Sequence, residues 1–199
     1  MKALMFDLDG VLVESVDVWL SAFNDTLREL GLPPISKEEF LRKHWGKSTV
    51  ENFRLLGLGM EAVERCWQKY LSRLGEIKLF PATREVLERV KRRYKTALVT
   101  NTPQEGVKRV LSMLGIGNLF DAVVTGDEAK EGKPSPELVL LACRKLGVPP
   151  AEAVLVGDTK ADVDAGRAAG CKVIGVGIEA DYTISNISEL ETVLSRLDS

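Results

Sequence analysis

Five short runs of hydrophobic residues recur along the chain, and they are apolar almost throughout rather than alternating with polar residues. They are Ala3–Phe6, Thr96–Val99, Ala122–Val124, Ala153–Val156 and Val173–Val176. Continuous apolar character is typical of parallel strands that are buried on both faces. Helical patterns of ordinary length separate the later runs, and this alternation favours a sheet with helices on both sides. The pattern therefore predicts an α/β fold built on a doubly wound parallel sheet.

The segment between the first two runs is much longer than a crossover with one helix requires. Two amphipathic faces recur in it at helical spacing, and Ser36 followed by Glu39 is a capping-box pattern. The residues of the two faces are Val16, Trp19, Leu20, Phe23, Leu27 and Leu30, then Met60, Val63, Trp67, Tyr70, Leu71 and Leu74. We therefore predict an all-helical insert over residues 16–78, which divides the chain into a core of residues 1–15 and 79–199 and a helical cap. Trp19 and Trp67 are expected to fill the core of that insert.

Polar residues come after four of the five runs, directly at the strand end in three cases and after an intervening loop in the case of the third run. They are Asp7, Asp9 and Gly10, then Thr100 and Asn101, then Lys133, then Asp158 with Asp162 one helical turn later. In parallel sheets ligands bind beyond the carboxyl ends of the strands. Alternate residues of an extended chain point to the same side, so the Asp7 and Asp9 carboxylates would repel unless a positive centre lies between them. The sequence predicts one site that collects acids, a hydroxyl and an amine.

Composition narrows the possible functions. The chain has a formal net charge of −2 and a pI near 5.6, whereas nucleic-acid binders are usually basic. No apolar stretch approaches the ~18 residues that a membrane helix needs. The three cysteines are scattered, which is typical of a reducing compartment, and we expect a cytoplasmic protein. The single histidine excludes a multi-histidine zinc site, and no G-x-S-x-G motif of a serine hydrolase is present.

Four segments together resemble the motifs of the haloacid dehalogenase (HAD) superfamily of phosphotransferases. They are FDLDGVLVES, LVTNT, GKPSPE and VGDTKADVDAGRAAG. The helical segment resembles the cap of the phosphoglycolate phosphatase-like and β-phosphoglucomutase-like branch. The resemblance covers almost the whole chain, and it implies a HAD-type Rossmann-like core with an inserted helical cap.

The resemblance also implies roles for the residues at the strand ends. Asp7 would be the nucleophile that forms an aspartyl-phosphate, and Asp9 would protonate the leaving alkoxide and later deprotonate water. Thr100 and Lys133 would hold and neutralise the phosphoryl group. Mg²⁺ would be bound by the Asp7 carboxylate, the Asp9 backbone carbonyl and the Asp158 carboxylate.

Further residues are candidates for substrate contacts. Gly10 would let the backbone approach the phosphate, with a plain turn as the competing explanation. The Asn101 amide would hold a phosphoryl oxygen, and Asp162 would bind the metal through water or orient Lys133. In the cap, Arg42 and Lys47 are candidates for binding a substrate anion, although a solvated helix end would explain them as well.

We expect a magnesium-dependent phosphatase that acts on a small phosphorylated metabolite such as phosphoglycolate, as a monomer or homodimer without nucleic-acid or membrane partners. Two alternatives stay open. A sugar-phosphate mutase is disfavoured because Gly157-Asp158 stands where β-phosphoglucomutase relatives have two adjacent acids. A non-catalytic phosphoryl-binding protein is disfavoured because a binder has no need of Asp9.

Overall fold

The computed structural model describes residues 1–197, and its core is a six-stranded parallel sheet. In chain order the strands are β1 (Ala3–Phe6), β2 (Val13–Glu14), β3 (Lys78–Leu79), β4 (Lys95–Val99), β5 (Ala122–Val124), β6 (Ala153–Gly157), β7 (Lys172–Val176) and β8 (Tyr182–Ile184). The large sheet has the order β5-β4-β1-β6-β7-β8, and all its neighbouring strands are parallel. The predicted doubly wound α/β fold is confirmed.

Nine α-helices are found among residues 1–197. They are α1 (Val16–Glu29), α2 (Lys37–Lys43), α3 (Thr49–Leu55), α4 (Met60–Ser72), α5 (Thr83–Lys91), α6 (Gln104–Leu114), α7 (Glu137–Leu146), α8 (Lys160–Ala169) and α9 (Leu190–Leu197). None of them is both long and apolar enough to span a bilayer within the described residues.

The sheet is buried on both faces, as the unbroken apolar runs predict. Leu4 and Phe6 of β1 belong to a cluster with the apolar residues of α5, α6 and α9. Ala3 and Met5 point to the opposite face and pack with α7 and α8. The centre of the sheet is β1, which lies between β4 and β6, so the residues that follow these three strands are brought to one edge.

The edge strand β8 has no counterpart among the predicted runs. It is three residues long and only partly buried, so its sequence lacks the continuous apolar character of the central strands. It pairs with β7 in the register Ile174↔Tyr182. Burial on one side only explains why the hydrophobic pattern misses it.

The helices α1–α4 lie between β2 and β3, which pair as a separate antiparallel ribbon with Val13 opposite Leu79 and Glu14 opposite Lys78. Within this helical segment the Phe23 ring lies 5.6 Å from Phe40 and 5.0 Å from Phe53. The apolar cluster on this side of the sheet continues into α1–α4 without a break. The division into a core of residues 1–15 and 79–199 and a cap of residues 16–78 stays a prediction.

Candidate active site

Asp7 follows directly after the central strand β1 and is 6% exposed. Its Oδ1 accepts a hydrogen bond of 2.8 Å from the Leu8 amide and lies 2.9 Å from the Lys133 ammonium. Burial raises the pKa of the Asp7 carboxyl well above its ordinary value, and Lys133 opposes that shift. A carboxylate in this position needs positive charge nearby to stay ionised.

Lys133 is the buried cation of the site, with 3% of its surface exposed. Besides Asp7, its Nζ contacts Asp162 Oδ1 at 2.5 Å and donates to the Val99 carbonyl at 3.0 Å. Burial by itself would lower the pKa of the Lys133 ammonium, but Asp162 and Asp7 raise it overall. The ammonium is therefore charged and held rigidly between two acids.

Asp162 is fully buried, and both of its carboxylate oxygens are engaged. While Oδ1 binds Lys133, Oδ2 accepts from the Thr159 amide at 3.1 Å and from the Thr159 hydroxyl at 2.5 Å. This reciprocal capping box begins α8. Asp162 thus contacts Lys133 directly. Of the two roles considered for Asp162, this contact favours orienting Lys133 over binding the metal through water.

Asp158 lies at the carboxyl end of β6, beside Gly10. Its Oδ2 accepts a hydrogen bond of 2.8 Å from the Trp45 indole N–H. Its buried Oδ1 has no hydrogen-bond partner among the described residues. Burial and the Asp162 carboxylate raise the pKa of Asp158 to about 7. Gly10 has φ +81°, and a Cβ there would lie 2.1 Å from Asp158 Oδ2, so a larger residue would push Asp158 aside.

Three donors surround the Asp9 carboxylate. The Ser15 hydroxyl and the Trp19 indole donate to Oδ1 at 2.5 Å and 3.2 Å. The Thr102 hydroxyl donates to Oδ2 at 2.7 Å. Asp9 is thereby fixed by a residue before α1, a residue in α1 and a residue after β4.

Thr100 and Asn101 follow β4, and the structure places their side chains differently. Thr100 is buried, and its Oγ1 accepts from the Thr102 amide at 3.1 Å. The Asn101 side chain donates to the carbonyls of Gly46 and Lys133, both at 2.9 Å, and accepts from the Lys133 amide at 2.8 Å. Its amide therefore ties Lys133 to residue 46 of the helical segment, so that only the backbone of Asn101 remains for a phosphoryl group.

Residues 44–48, which we call the 44–48 loop, bring the helical segment over the strand ends. Trp45 reaches Asp158 and the Gly46 carbonyl reaches Asn101. Lys47 lines the same pocket as Asp7, whereas Arg42 is exposed and lines an adjoining cleft instead. Of the two predicted cap cations, only Lys47 lines the pocket with Asp7 and Asp9, whereas Arg42 lines a cleft that it shares with Asp158.

The pocket under this loop has a cavity volume of about 60 Å³. Its lining includes Asp7, Asp9, Trp19, Lys47, Thr100, Thr102 and Lys133. A groove of about 690 Å³ adjoins it, and Asn101 and Lys133 line both. The acids are thus enclosed in a small chamber with a wider space next to it.

The acidic residues suit a hard divalent cation. Carboxylate oxygens of Asp7, Asp158 and Asp162 all lie within 4.8 Å of one another. The unpartnered Asp158 Oδ1 is the feature that a bound cation would satisfy. Oxygen ligands of this kind are those that Mg²⁺ prefers. Because both oxygens of Asp162 are already bonded, Asp7 and Asp158 are the better candidates for direct ligands.

Four polar contacts of the site involve residues that the sequence did not single out for chemistry: Ser15, Trp19, Trp45 and Thr102. Trp19 packs against the apolar cluster of the helical segment, as predicted, and it also lines the pocket. A partial signal existed for Thr102, which belongs to the LVTNT segment, and for Ser15, which ends FDLDGVLVES. The Trp45 contact joins residues 113 positions apart, and no periodicity predicts such a pairing.

Comparison with known proteins gives a consistent result. A family model described as "Haloacid dehalogenase-like hydrolase" matches residues 4–176. The phosphorylated carbohydrates phosphatase of Thermotoga maritima is 34% identical over 186 residues, which cover 87% of this chain and 84% of that protein. The phosphoglycolate phosphatase of Chromobacterium violaceum is 33% identical, and the match covers 95% of this chain and 94% of that protein.

Solved structures agree with the sequence matches. A hydrolase from Pseudomonas syringae superposes with a TM-score of 0.86 at 26% identity, over 98% of both chains. The likeness therefore extends over the sheet and the helical segment together.

Proposed function

Because the chain belongs to the haloacid dehalogenase-like hydrolase family and is a phosphatase, we propose that it hydrolyses a small phosphomonoester such as phosphoglycolate, with Mg²⁺ and through an aspartyl-phosphate. The observation that carries the proposal is the buried Asp7–Lys133 pair, with Nζ 2.9 Å from Oδ1, beside an Asp158 oxygen that lacks a partner among the described residues.

In the first step an Asp7 carboxylate oxygen attacks the phosphorus atom. A bond between Asp7 and phosphorus forms while the bond from phosphorus to the leaving oxygen breaks. Asp9 gives its proton to that leaving oxygen, so the product leaves as an alcohol rather than an alkoxide. Lys133 and the Thr100 hydroxyl stabilise the charge that spreads over the phosphoryl oxygens.

In the second step water attacks the phosphorus of the aspartyl-phosphate. Asp9, now a carboxylate, takes the proton of the attacking water, and the bond between phosphorus and Asp7 breaks. The products are inorganic phosphate and the regenerated Asp7 carboxylate. The donors around Asp9 support this role because they hold its carboxylate in the pocket with Asp7.

The Asp7 carboxylate, the Asp9 carbonyl and the Asp158 carboxylate would hold Mg²⁺. When bound, Mg²⁺ offsets the repulsion among the acids and the phosphoryl oxygens. Asp162 keeps Lys133 in place through its 2.5 Å contact. Trp45 fixes one oxygen of Asp158 and leaves the other available for the cation.

A small anionic substrate is supported by the cavity volume of about 60 Å³ and by Lys47 in its lining. Residues 16–78 form the cap that closes over the phosphoryl group, and Gly10 and the Asn101 backbone contact that group. Arg42 remains a candidate for a longer substrate that extends into the adjoining cleft. The relative from Thermotoga maritima carries phosphorylated carbohydrates in its name, so sugar phosphates belong among the candidate substrates.

The test is a phosphate-release screen over small phosphomonoesters, with and without Mg²⁺. We expect release with Mg²⁺, none in excess chelator, and no turnover by Asp7→Asn. Asp164→Asn is the matched control, because Asp164 is a half-exposed acid of α8 paired with Lys160, and it should keep activity. Metal-independent release, or full activity of Asp7→Asn, would overturn the mechanism, whereas transfer to a second sugar phosphate instead of water would identify a mutase.

A further inference from the structure

The contact between Trp19 and Asp9 links the helical segment to the proposed acid–base residue. Trp19 lies in α1, and its Nε1 donates to Asp9 Oδ1 at 3.2 Å. Trp19 also lines the pocket that contains Asp7. The side chain therefore lines the proposed reaction chamber, and its one polar atom binds Asp9.

An aromatic stack fixes the plane of the Trp19 ring. Its centroid lies 3.7 Å from that of Tyr70, with an interplanar angle of 14°. Trp67 stacks on Tyr70 from 5.4 Å. Because both Tyr70 and Trp67 are in α4, two helices of the segment hold the indole in place.

The stack rests on the sheet side of the molecule at α6. A Cβ on Gly106 would lie 2.7 Å from Trp67 Cη2 and 3.2 Å from Tyr70 Cε1. The absence of a side chain on Gly106 thus allows the close approach of α4 to α6. The Trp19 indole is held by contacts that run from α1 through α4 to α6.

We propose that Trp19 is a positioning residue, which orients the Asp9 carboxyl group so that one defined oxygen transfers the proton to the leaving group. This inference rests on the proposed function, in which Asp9 acts as the acid. Trp19 touches no reacting atom in that reaction. It acts only through Asp9.

The chemistry of the three donors selects the oxygen. An indole N–H can only donate, so Asp9 Oδ1 must keep a lone pair towards Trp19. The Ser15 hydroxyl donates to the same oxygen, so both lone pairs of Oδ1 are used. Oδ2 accepts only from the Thr102 hydroxyl, at 2.7 Å, and keeps one position for a proton. Oδ2 is therefore the oxygen that carries the transferable proton. The contact of Trp19 with Oδ1 keeps the carboxyl group from rotating and exchanging the positions of its two oxygens.

The experiment compares two substrates that differ in how much they need an acid. An alkyl phosphate such as phosphoglycolate releases a strongly basic alkoxide, whereas p-nitrophenyl phosphate releases a weakly basic anion. The value of kcat/KM covers the steps up to departure of the leaving group. For Trp19→Phe, which keeps an aromatic ring and removes the N–H, we expect kcat/KM for the alkyl phosphate to fall by about tenfold or more. The value for p-nitrophenyl phosphate should fall by less than about threefold, since its leaving group needs no proton.

Trp67→Phe is the matched control. It alters the same stack and removes an indole N–H that donates to the exposed Glu105 at 3.4 Å rather than to Asp9. Both substrates should lose the same small factor in this variant. An equal loss on both substrates in Trp19→Phe, or the selective loss in Trp67→Phe, would overturn the inference. So would an unchanged kcat/KM for the alkyl phosphate in Trp19→Phe.

Asp9→Asn separates this inference from the proposed function. Its kcat/KM for the alkyl phosphate must fall more than that for p-nitrophenyl phosphate; if it does not, the role of Asp9 fails, and the Trp19 inference fails with it. If Asp9→Asn shows the pattern and Trp19→Phe does not, only the Trp19 inference fails. In the Asp9→Asn background, Trp19→Phe should cause no further selective loss, because a residue that acts through Asp9 is not additive with it.

Discussion

At the scale of single residues, the site contains more negative than positive charge. Lys133 is shared between Asp7 and Asp162, at 2.9 Å and 2.5 Å, while Asp158 has only a neutral indole donor. Burial raises the pKa values of Asp7 and Asp158, and the neighbouring carboxylates raise them further. Of these three acids, Asp158 is the one whose negative charge no cation among the described residues balances, and Gly10, which has no side chain, leaves space beside it.

Gly10→Ala tests how closely the first loop must approach Asp158. The added methyl group would lie 2.1 Å from Asp158 Oδ2, so we expect weaker Mg²⁺ binding and a lower free energy of unfolding. Gly57→Ala is the control, because Gly57 has φ +71° and open space around it. It should cost only the left-handed backbone strain of about 1–2 kcal/mol. Urea unfolding and Mg²⁺ titration measure both effects. Equal losses of stability and of Mg²⁺ affinity in the two variants would show that the added methyl group does not displace Asp158.

The sequence predicted which residues meet at the strand ends better than it predicted their contacts. Asp7, Asp9, Lys133 and Asp158 follow from hydrophobic runs that end at one edge of a sheet, which is a local pattern plus one rule of topology. The donors to Asp9 do not follow, since Thr102 contacts it across 93 positions of the chain. Such pairs depend on the packing of whole helices, which no spacing encodes.

At the scale of elements, the 44–48 loop is held by the helices on either side of it. Asn52 of α3 donates to the His44 carbonyl at 3.0 Å, and its Oδ1 lies 3.0 Å from His44 Nδ1. The buried His44 ring also packs 4.9 Å from Phe23. The side chain of His44 thus fixes the start of the loop that carries Trp45 and Lys47.

This packing predicts a pH dependence of stability. Burial lowers the pKa of His44 below its ordinary value of 6.5, with Asn52 opposing the shift and Lys47 and Lys43 reinforcing it. The His44 side chain therefore binds a proton more readily in the unfolded chain than in the folded protein. Its contribution to the free energy of unfolding is complete above about pH 6.5 and is lost as the pH falls below that value. Urea unfolding between pH 5 and pH 8 should show that the stability of the wild type relative to His44→Gln declines as the pH falls. Asp158, with its pKa of about 7, titrates in the same range with the opposite effect, but it does so in both proteins. Identical profiles would contradict the prediction, and no second histidine masks the result.

Local signals at the ends of elements were also informative. Ser36 accepts a hydrogen bond from the Glu39 amide at 3.1 Å and begins α2, as the capping pattern predicted. The ribbon of β2 and β3 was not predicted, because two residues per strand are too few to create a pattern. Short elements are determined by their partners rather than by their own sequence.

At the scale of the whole molecule, the helical segment and the sheet meet at the acids. Trp45 binds Asp158, Gly46 binds Asn101, and Trp19 binds Asp9. These three contacts hold the helical segment over the pocket that contains Asp7 and Asp9. Asp158 lies at this junction, because it contacts the loop with one oxygen and faces the proposed cation with the other.

Magnesium should therefore stabilise the folded protein as a whole. A ligand that binds only the folded state adds about 2.7 kcal/mol to the free energy of unfolding at a hundred times its dissociation constant. We expect this increase in the wild type and in Asp164→Asn, and its loss in Asp158→Asn. Without Mg²⁺, Asp158→Asn should be at least as stable as the wild type, because burial disfavours the charged carboxylate. Thermal unfolding with and without Mg²⁺ measures this, and an undiminished increase in Asp158→Asn would contradict the assignment of Asp158 as a ligand.

The helices α1–α4 are inserted between two strands, β2 and β3, that pair with each other. In topological terms the helical segment is therefore a large loop whose two ends are neighbours. Because Glu14 faces Lys78 directly, a turn of a few residues can join these strands without re-routing the sheet. A different set of helices can likewise be grafted onto the same pair of strands. The sheet edge that carries the acids and the helical segment proposed to select the substrate can therefore be exchanged as modules, and we expect new specificities to arise without changes to the proposed phosphate site.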